Sequence, residues 1–583
     1  MSRDPVIQEV IRNYLHRVAQ DMETALIRSA YSIAIYDSKD FACGVVDPDC
    51  NLLAQSLAGT PVFANNLSNA VEATFEALEE EMLEPGDVIL CNDPYLGGGS
   101  HGNDVTCIYP VFFGSKLVAF TAVKGHVLDM GGAHPSGYQT NTTEVFQELF
   151  RVPPVKFYKK GEINRDLERI LTTNIRLPAE VMGDIRAMVA SLRVGGKRIE
   201  EIITKYGLDN YTEYVKNILD QSELQARMKL NELPKGSFEG EYFLDGDGDD
   251  EHPISQKLRV HMKATIKKDE FIIDLSESAD QSAGPMNSPR SNTISYAKYA
   301  FKSLIDPLSL INDGFFRPLK VITRRGSIFD PIPPAPVNLW LETPHSIVDL
   351  LFKVLSRVLP NRTVGGTFGS DVIDFIYGDD KINRRFFVLV DTLQGGWGGT
   401  PEFDGVTTYA VCEGNVSYPM MEMLEANYPL QVLKWELIKD SGGPGKMRGG
   451  LGVRRDYKLR DPCHITFCYE RSRYSPPWGV LGGKEGSTNH VVLDPDGSST
   501  KHQKVTHYPL QSNDIVSFRT GGGGGYGDPL ERDPSQVIRD ITLGYVSEEK
   551  AKTEYGVVFT PNKKNVDQIE TDKIRARLRP SRN

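Results

Sequence analysis

A chain of 583 residues with net charge −12, 40% hydrophobic and 25% charged, has the composition of a soluble globular protein. Its length calls for more than one domain, because single cores stop growing at ~250–300 residues. The acidic balance argues against a nucleic-acid partner, and no apolar run reaches the ~20 residues that cross a bilayer. Charged and apolar residues alternate helically from Ser2 to Gln20, which is not a signal sequence. The seven cysteines form no C-x-x-C pair and read as reduced thiols of a cytoplasmic protein.

In chain order, residues 5 to about 32 are expected as a helix. A proline opens it, and Val6, Ile7, Val10, Ile11, Leu15, Val18 and Met22 recur at three and four. Phe41–Val46 and Leu52–Gln55 flank the turn Asp47-Pro-Asp-Cys-Asn51 as a hairpin. Residues 66–80 return to helical spacing, and 87–91 form a short buried strand ending at Asn92-Asp-Pro-Tyr95. Residues 105–113 and 116–123 make a second hairpin about Gly114-Ser115. After the break at Val152-Pro-Pro-Val155, 164–207 and 209–231 are helical.

Strands over 238–244, 256–266 and 271–275 follow. The acidic Asp245-Gly-Asp-Gly-Asp249 reads as a hairpin turn rather than a calcium loop. Asp250 stands where that loop needs glycine, and Gln256 where it needs glutamate. Helices over 287–306 and 343–359 give way from Gly365 to strands and glycine turns, in which Cys463 and Cys468 are expected as buried strand residues. Helices over 534–543 and 547–555 close the chain, and the charged tail after Pro561 is a docking arm or a frayed end. The expected class is α+β and multi-domain, with mixed helices, mainly antiparallel sheets and a glycine-rich, β-dominated C-terminal part. The expected domains are 1–235, 236–364 and 365–583.

One stretch concentrates chemistry. His101-Gly-Asn-Asp104 precedes the first strand of the second hairpin, and His126-Val-Leu-Asp129 follows the second strand. A hairpin lays its outer ends side by side, so two imidazoles and two carboxylates from a chain with only 11 histidines converge. Such an N/O set suits zinc, manganese or iron rather than a thiolate site. No G-x-x-x-x-G-K-[ST] loop and no G-x-S-x-G elbow occurs. The run Gly521–Gly525 fits a dinucleotide fingerprint only trivially, since Asp528-Pro529 stands where the helix should begin. That run is expected as a tight, close-approach turn.

These residues carry a resemblance. Asn92-Asp-Pro-Tyr95, His101-x-x-Asp104, His126-x-x-Asp129-x-Gly-Gly132 and Gln147-Glu148 before Val152-Pro-Pro-Val-Lys156 resemble the hydantoinase B/oxoprolinase family. So do Asn174-Ile-Arg176, Gly183-Asp184, Asn312-x-Gly314, Arg448-Gly-Gly-Leu-Gly452, Pro477-Trp-Gly479, the run from Gly521 to Asp533, and Tyr555-Gly-Val-Val558. The resemblance implies the metal-binding B-type subunit of an ATP-dependent amidohydrolase that opens a lactam or cyclic imide, such as a hydantoin, oxoproline or caprolactam-like ring. The alternative it implies is a subunit of an ATP-dependent acetone/acetophenone-type ketone carboxylase.

It further implies a divalent metal, zinc first with manganese or iron as alternatives, held by Asp40 (from Lys-Asp-Phe-x-Cys), His101, Asp104 and His126. Asp129 becomes a neighbouring or substitute ligand, and whichever of Asp104 and Asp129 is not a ligand orients the attacking water. ATP-Mg would belong to a hydantoinase A-type partner in an (αβ)2 hetero-oligomer, in keeping with the missing phosphate loop. Leu149 and Met188 depart from the family's usual glycine and glutamine, near the presumed substrate region, so the ring is not copied from any relative.

Overall fold

The structure, a computed structural model, describes residues 4–78, 82–97, 99–135, 137–250, 253–255, 257–411, 414–493, 500–560 and 565–579. Ser2, Cys412, Gln256, the last residues of the helix expected to 80, and 561–564 and 580–583 of the tail lie outside them.

The N-terminal sheet has seven antiparallel strands: β1 (Phe41–Val46), β2 (Leu52–Gln55), β3 (Val88–Cys91), β4 (Asp104–Phe113), β5 (Lys116–His126), β6 (Val155–Lys159) and β7 (Glu162–Ile163). Their order is β2-β1-β5-β4-β3-β6-β7, so the two expected hairpins join edge to edge through β1 and β5. Side chains alternate across the sheet. Ile108, Phe120 and Ala122 pack with the helix Leu67–Leu78 on one face, while Cys107, Ala119 and Val123 join the main core on the other.

That main core is closed by the helix Pro5–Ser29, capped by the Asp4 carboxylate on the Val6 N–H, and by Pro178–Tyr206. The expected helix over 164–207 is two helices, Arg165–Asn174 and Pro178–Tyr206, divided just before the proline that opens the second. Gly195 permits the close crossing: a Cβ there would lie 2.4 Å from the Met22 sulfur.

Beyond the helix Leu208–Asn231, a four-stranded sheet begins with Gly236–Leu244, Leu258–Ile266 and Phe271–Asp274. The helix Arg290–Ile305 then leads to Leu319–Ile322, which is parallel to its neighbour. Two further sheets, of four and five strands, carry the rest, with Cys463 and Cys468 buried at the two ends of one strand. The apolar core runs without interruption from Ile11 through Leu350 and Phe375 to Tyr526.

Of three local expectations, one changes. Asp245 opens the acidic connection between the antiparallel partners Gly236–Leu244 and Leu258–Ile266, in keeping with a hairpin. Its carboxylate accepts the N–H groups of Ser472, Arg473 and Tyr474 at 2.5, 3.0 and 2.9 Å, tying the central sheet to the C-terminal part. The tail forms a helix, Gln568–Leu578, capped by Asp567 and docked through Arg575 onto the carbonyls of Tyr555 and Arg532.

Gly521–Gly525 is an extended chain and not a turn. Gly523 N–H donates to Gly450, Gly524 to Gly366 and Gly525 to Lys484, while Gly521, Gly523 and Gly524 accept from Gly396, Gly443 and Gly399. The bonds radiate to different segments residue by residue, instead of lying in the plane of a sheet. Only bare backbone fits: a Cβ at Gly524 would lie 1.9 Å from the Trp478 carbonyl oxygen.

Candidate metal centre

Three adjacent strand ends build the site. Asp104 opens β4, His126 closes β5, and the two are direct cross-strand partners. The pairing runs three residues further along β5 than the hydrophobic pattern reaches, so His126 is part of the strand. On the other side of β5, Phe41 faces Gly125, and the His126 N–H donates to the Asp40 carbonyl at 3.0 Å. Asp40 therefore arrives through the register of this same sheet. His101 comes from the glycine-rich turn before β4, where its carbonyl accepts the Asp104 N–H at 3.1 Å.

His101, Asp104 and His126 are buried, and one ligand atom from each lies within 4.8 Å of the others. His101 Nδ1 is 2.8 Å from the Gly137 carbonyl, which can only accept, so Nδ1 carries the hydrogen. Its Nε2 lone pair then faces Asp104 Oδ1 at 3.2 Å, an unfavourable contact unless positive charge intervenes. His126 Nδ1 lies 3.3 Å from the same oxygen. His126 Nε2 and Asp104 Oδ2 are both buried without a partner among the described residues. Orphaned buried lone pairs are costly, and a divalent cation satisfies them together. The residues present thus fit the implied metal.

The protonation energetics of the cluster run in different directions: against opposing burial, the Asp104 carboxylate raises His101. Against the burial that opposes it, His101 and His126 hold the Asp104 carboxyl well below the usual carboxylate range. Burial pushes Asp40 up to about 6, against the pull of His126, and Thr60 donates to its Oδ1 at 3.3 Å.

The cluster forms part of the wall of a cavity completed by residues distant in sequence, among them Val62, Phe63, Trp340, Asp371, Ile373 and Gln394. Local pattern reading could not assemble this wall. A signal was available for Lys124, two residues before His126 in an apolar strand. It is fully buried, donates to Ser100 Oγ at 3.1 Å, and is pushed down to about 8 by burial.

Asp129, expected as a neighbouring or substitute ligand or as the water-orienting group, stands outside the cluster. Arg176 occupies both of its oxygens, through its own N–H at 2.6 Å and its guanidinium at 2.8 Å. The same guanidinium holds the carbonyls of Gly131 and Gly132, both at positive φ. Arg176 and Asp129 thereby pin the segment that runs from His126 to Gly137, whose carbonyl orients His101. Arg176→Ala is expected to weaken ion binding about 10–100-fold, as loss of a ligand-orienting contact does, measured by competition with a chromogenic chelator. Unchanged affinity would remove this positioning role. Leu149 and Met188 back the ligand-bearing chain, against Gly102 and Gly125, and neither lines the cavity.

Comparison with known proteins now places the chain. The hydantoinase B/oxoprolinase family matches residues 4–529, and the chain belongs to that family. It is 31% identical over 585 residues to a protein of Pseudomonas sp. strain NS671 named as the B-type component of a D-/L-hydantoinase, the match covering 98% of each. The crystal structure of ATP-dependent caprolactamase from Pseudomonas jessenii is similar at a TM-score of 0.92 and 27% identity, over 99% of this chain and 100% of that one. The nucleotide-free structure of acetone carboxylase shares the fold at a TM-score of 0.89 and 20% identity, over 99% of this chain and 83% of that one. Among the described residues no helix is long and apolar enough to cross a membrane.

Proposed function

We propose that this chain is the ion-binding B-type subunit of an ATP-dependent cyclic-amide hydrolase. The observation that carries the reading is the buried His101–Asp104–His126 cluster, with its orphaned lone pairs, in the wall of a largely apolar cavity. Asp40, His101, Asp104 and His126 would hold a divalent ion, zinc first and manganese or iron as alternatives. Such an ion supplies Lewis-acid polarisation and a water whose pKa falls from about 15.7 to ~7.

The chain's own residues do the positioning. Gly137 sets the His101 tautomer, and Asp104 sits between the two imidazoles within about 3.3 Å of each. The apolar wall excludes bulk water and leaves the activated amide to the few waters the reaction consumes. Activation is assigned to an A-type ATP-binding partner in an (αβ)2 assembly. Its γ-phosphoryl would move to the amide oxygen, a first water would add to the carbonyl carbon, and the C–N bond would break with the nitrogen taking a proton, leaving an acyl phosphate that a second water hydrolyses to the carboxylate and inorganic phosphate.

The test is co-expression with an A-type partner and a screen of cyclic amides for ATP-dependent release of the ring-opened amine. This chain alone is expected to show no ATP turnover, and robust turnover by it alone would overturn the division of labour. Ketone carboxylation is the second reading. The fuller coverage of the caprolactamase chain than of the longer carboxylase chain favours hydrolysis over it. Incorporation of labelled bicarbonate into a stable carbon–carbon product would reverse that order.

A further inference from the structure

The five-stranded sheet of the C-terminal part ends on an open edge. Its outermost strand, Leu430–Leu437, pairs only with Val453–Leu459. Residues 433–437 are all exposed, so neither face of this stretch is covered. The Ile438 N–H donates inward to the Gly452 carbonyl. By alternation Glu436 also bonds inward, and Trp435 and Leu437 turn their N–H and C=O groups out of the sheet. Among the described residues no group outside the strand pair takes them. At the start of the strand the edge is closed, because Glu425 of the helix Met421–Asn427 accepts the Val432 N–H at 2.8 Å. The open part is Leu433 to Leu437.

Edges that must stay single carry a charge, a proline or a cover at their middle. This one centres on Trp435, 45% exposed, with Leu433 at 43% and Leu437 at 38% two residues to either side. The Trp435 ring is held in place, edge-on to Tyr418 at 5.0 Å and 5.1 Å from the Arg455 guanidinium. The charges beside it are spare. Among the described residues Lys434 has no ion pair, and Glu436 reaches Arg454 only at 3.7 Å.

The segment is complementary to itself. Two copies pair antiparallel only when outward groups meet outward groups, so a two-fold axis must pass at Lys434, Trp435 or Glu436. At Lys434 or Glu436 it sets like charges face to face, which destabilises a pair. At Trp435 it sets the two tryptophans opposite each other, Lys434 opposite Glu436 twice, and Leu433 opposite Leu437 twice. We propose that two copies of this chain associate through Leu433–Leu437 in the register centred on Trp435, joining their five-stranded sheets into one across a two-fold axis. The proposal goes beyond the ring-opening reading and does not depend on it, since it needs no ion, no ATP and no A-type partner.

Sedimentation velocity of the full chain alone, over a range of concentrations, tests this, and a dimer is expected. Lys434→Glu and Glu436→Lys each place like charges opposite one another in both halves of the pair. Each is expected to weaken association at least ~10-fold with an unchanged melt, since both side chains are exposed. Mixing the two variants should restore the dimer, because each then carries the charge the other lacks, and the double variant should dimerise like the wild type. A monomeric wild type, single variants that dimerise as tightly as the wild type, or a mixture that stays apart overturns the proposal. So does a chain that remains monomeric until an A-type partner is added and whose Trp435→Ser variant no longer takes up that partner, which would give the edge to the A-type chain.

Discussion

His101→Ala will lose the bound ion and, in the reconstituted pair, at least ~10³-fold of ATP-dependent ring opening, the several kcal/mol expected of a lost Lewis acid. The reason is geometric. His101 Nδ1 is fixed on Gly137, so Nε2 is its one free lone pair, and it points at Asp104. Asp129 cannot substitute while Arg176 holds both its oxygens. Elemental analysis by mass spectrometry and product release measure the two effects separately. Chelation of the wild-type chain, followed by restoration with zinc, repeats the loss without altering any buried residue. Full activity in a demonstrably metal-free variant would sink the assignment.

The second large effect lies far from the chemistry. Gly523→Ala places a Cβ 1.9 Å from the Trp397 carbonyl oxygen and 2.5 Å from the Gly398 nitrogen. Both are backbone atoms, so no side chain can move aside. The expected cost exceeds about 4–5 kcal/mol, the exceptional range for a single substitution, seen as loss of soluble protein or of a cooperative melt. Gly114→Ala is the matched control. Its φ is also one that favours glycine, but nothing lies within 4 Å, so only about 1–2 kcal/mol of backbone strain is expected. A Gly523→Ala protein that melts like the control would refute the backbone-packing account.

What the sequence made legible follows the reach of each physical signal. Alternation and turn chemistry are local, so both N-terminal hairpins and the meeting of Asp104 with His126 were accessible. Asp40 was reachable only through resemblance, because pairing of β1 with β5 is a choice between hairpins and no local pattern encodes it. Asp104 and Asp129 sit in identical H-x-x-D motifs. What separates them is Arg176, which folds back over Asp129 from 47 residues away. The wall from Trp340 to Val416 and the radial bonding of Gly521–Gly525 depend wholly on tertiary packing. Glycine composition signals close approach without saying to what.

The chains gathered around Gly521–Gly525 bury amides where other cores bury hydrocarbon. On unfolding, apolar surface raises the heat capacity by about 0.45 cal/K/mol per Å², whereas polar surface lowers it by about 0.26. This part of the molecule therefore melts with a smaller heat-capacity increment per residue than the N-terminal sheet. Because hydrophobic stabilisation weakens on cooling, the glycine chains become, relative to the rest, the firmer hold in the cold.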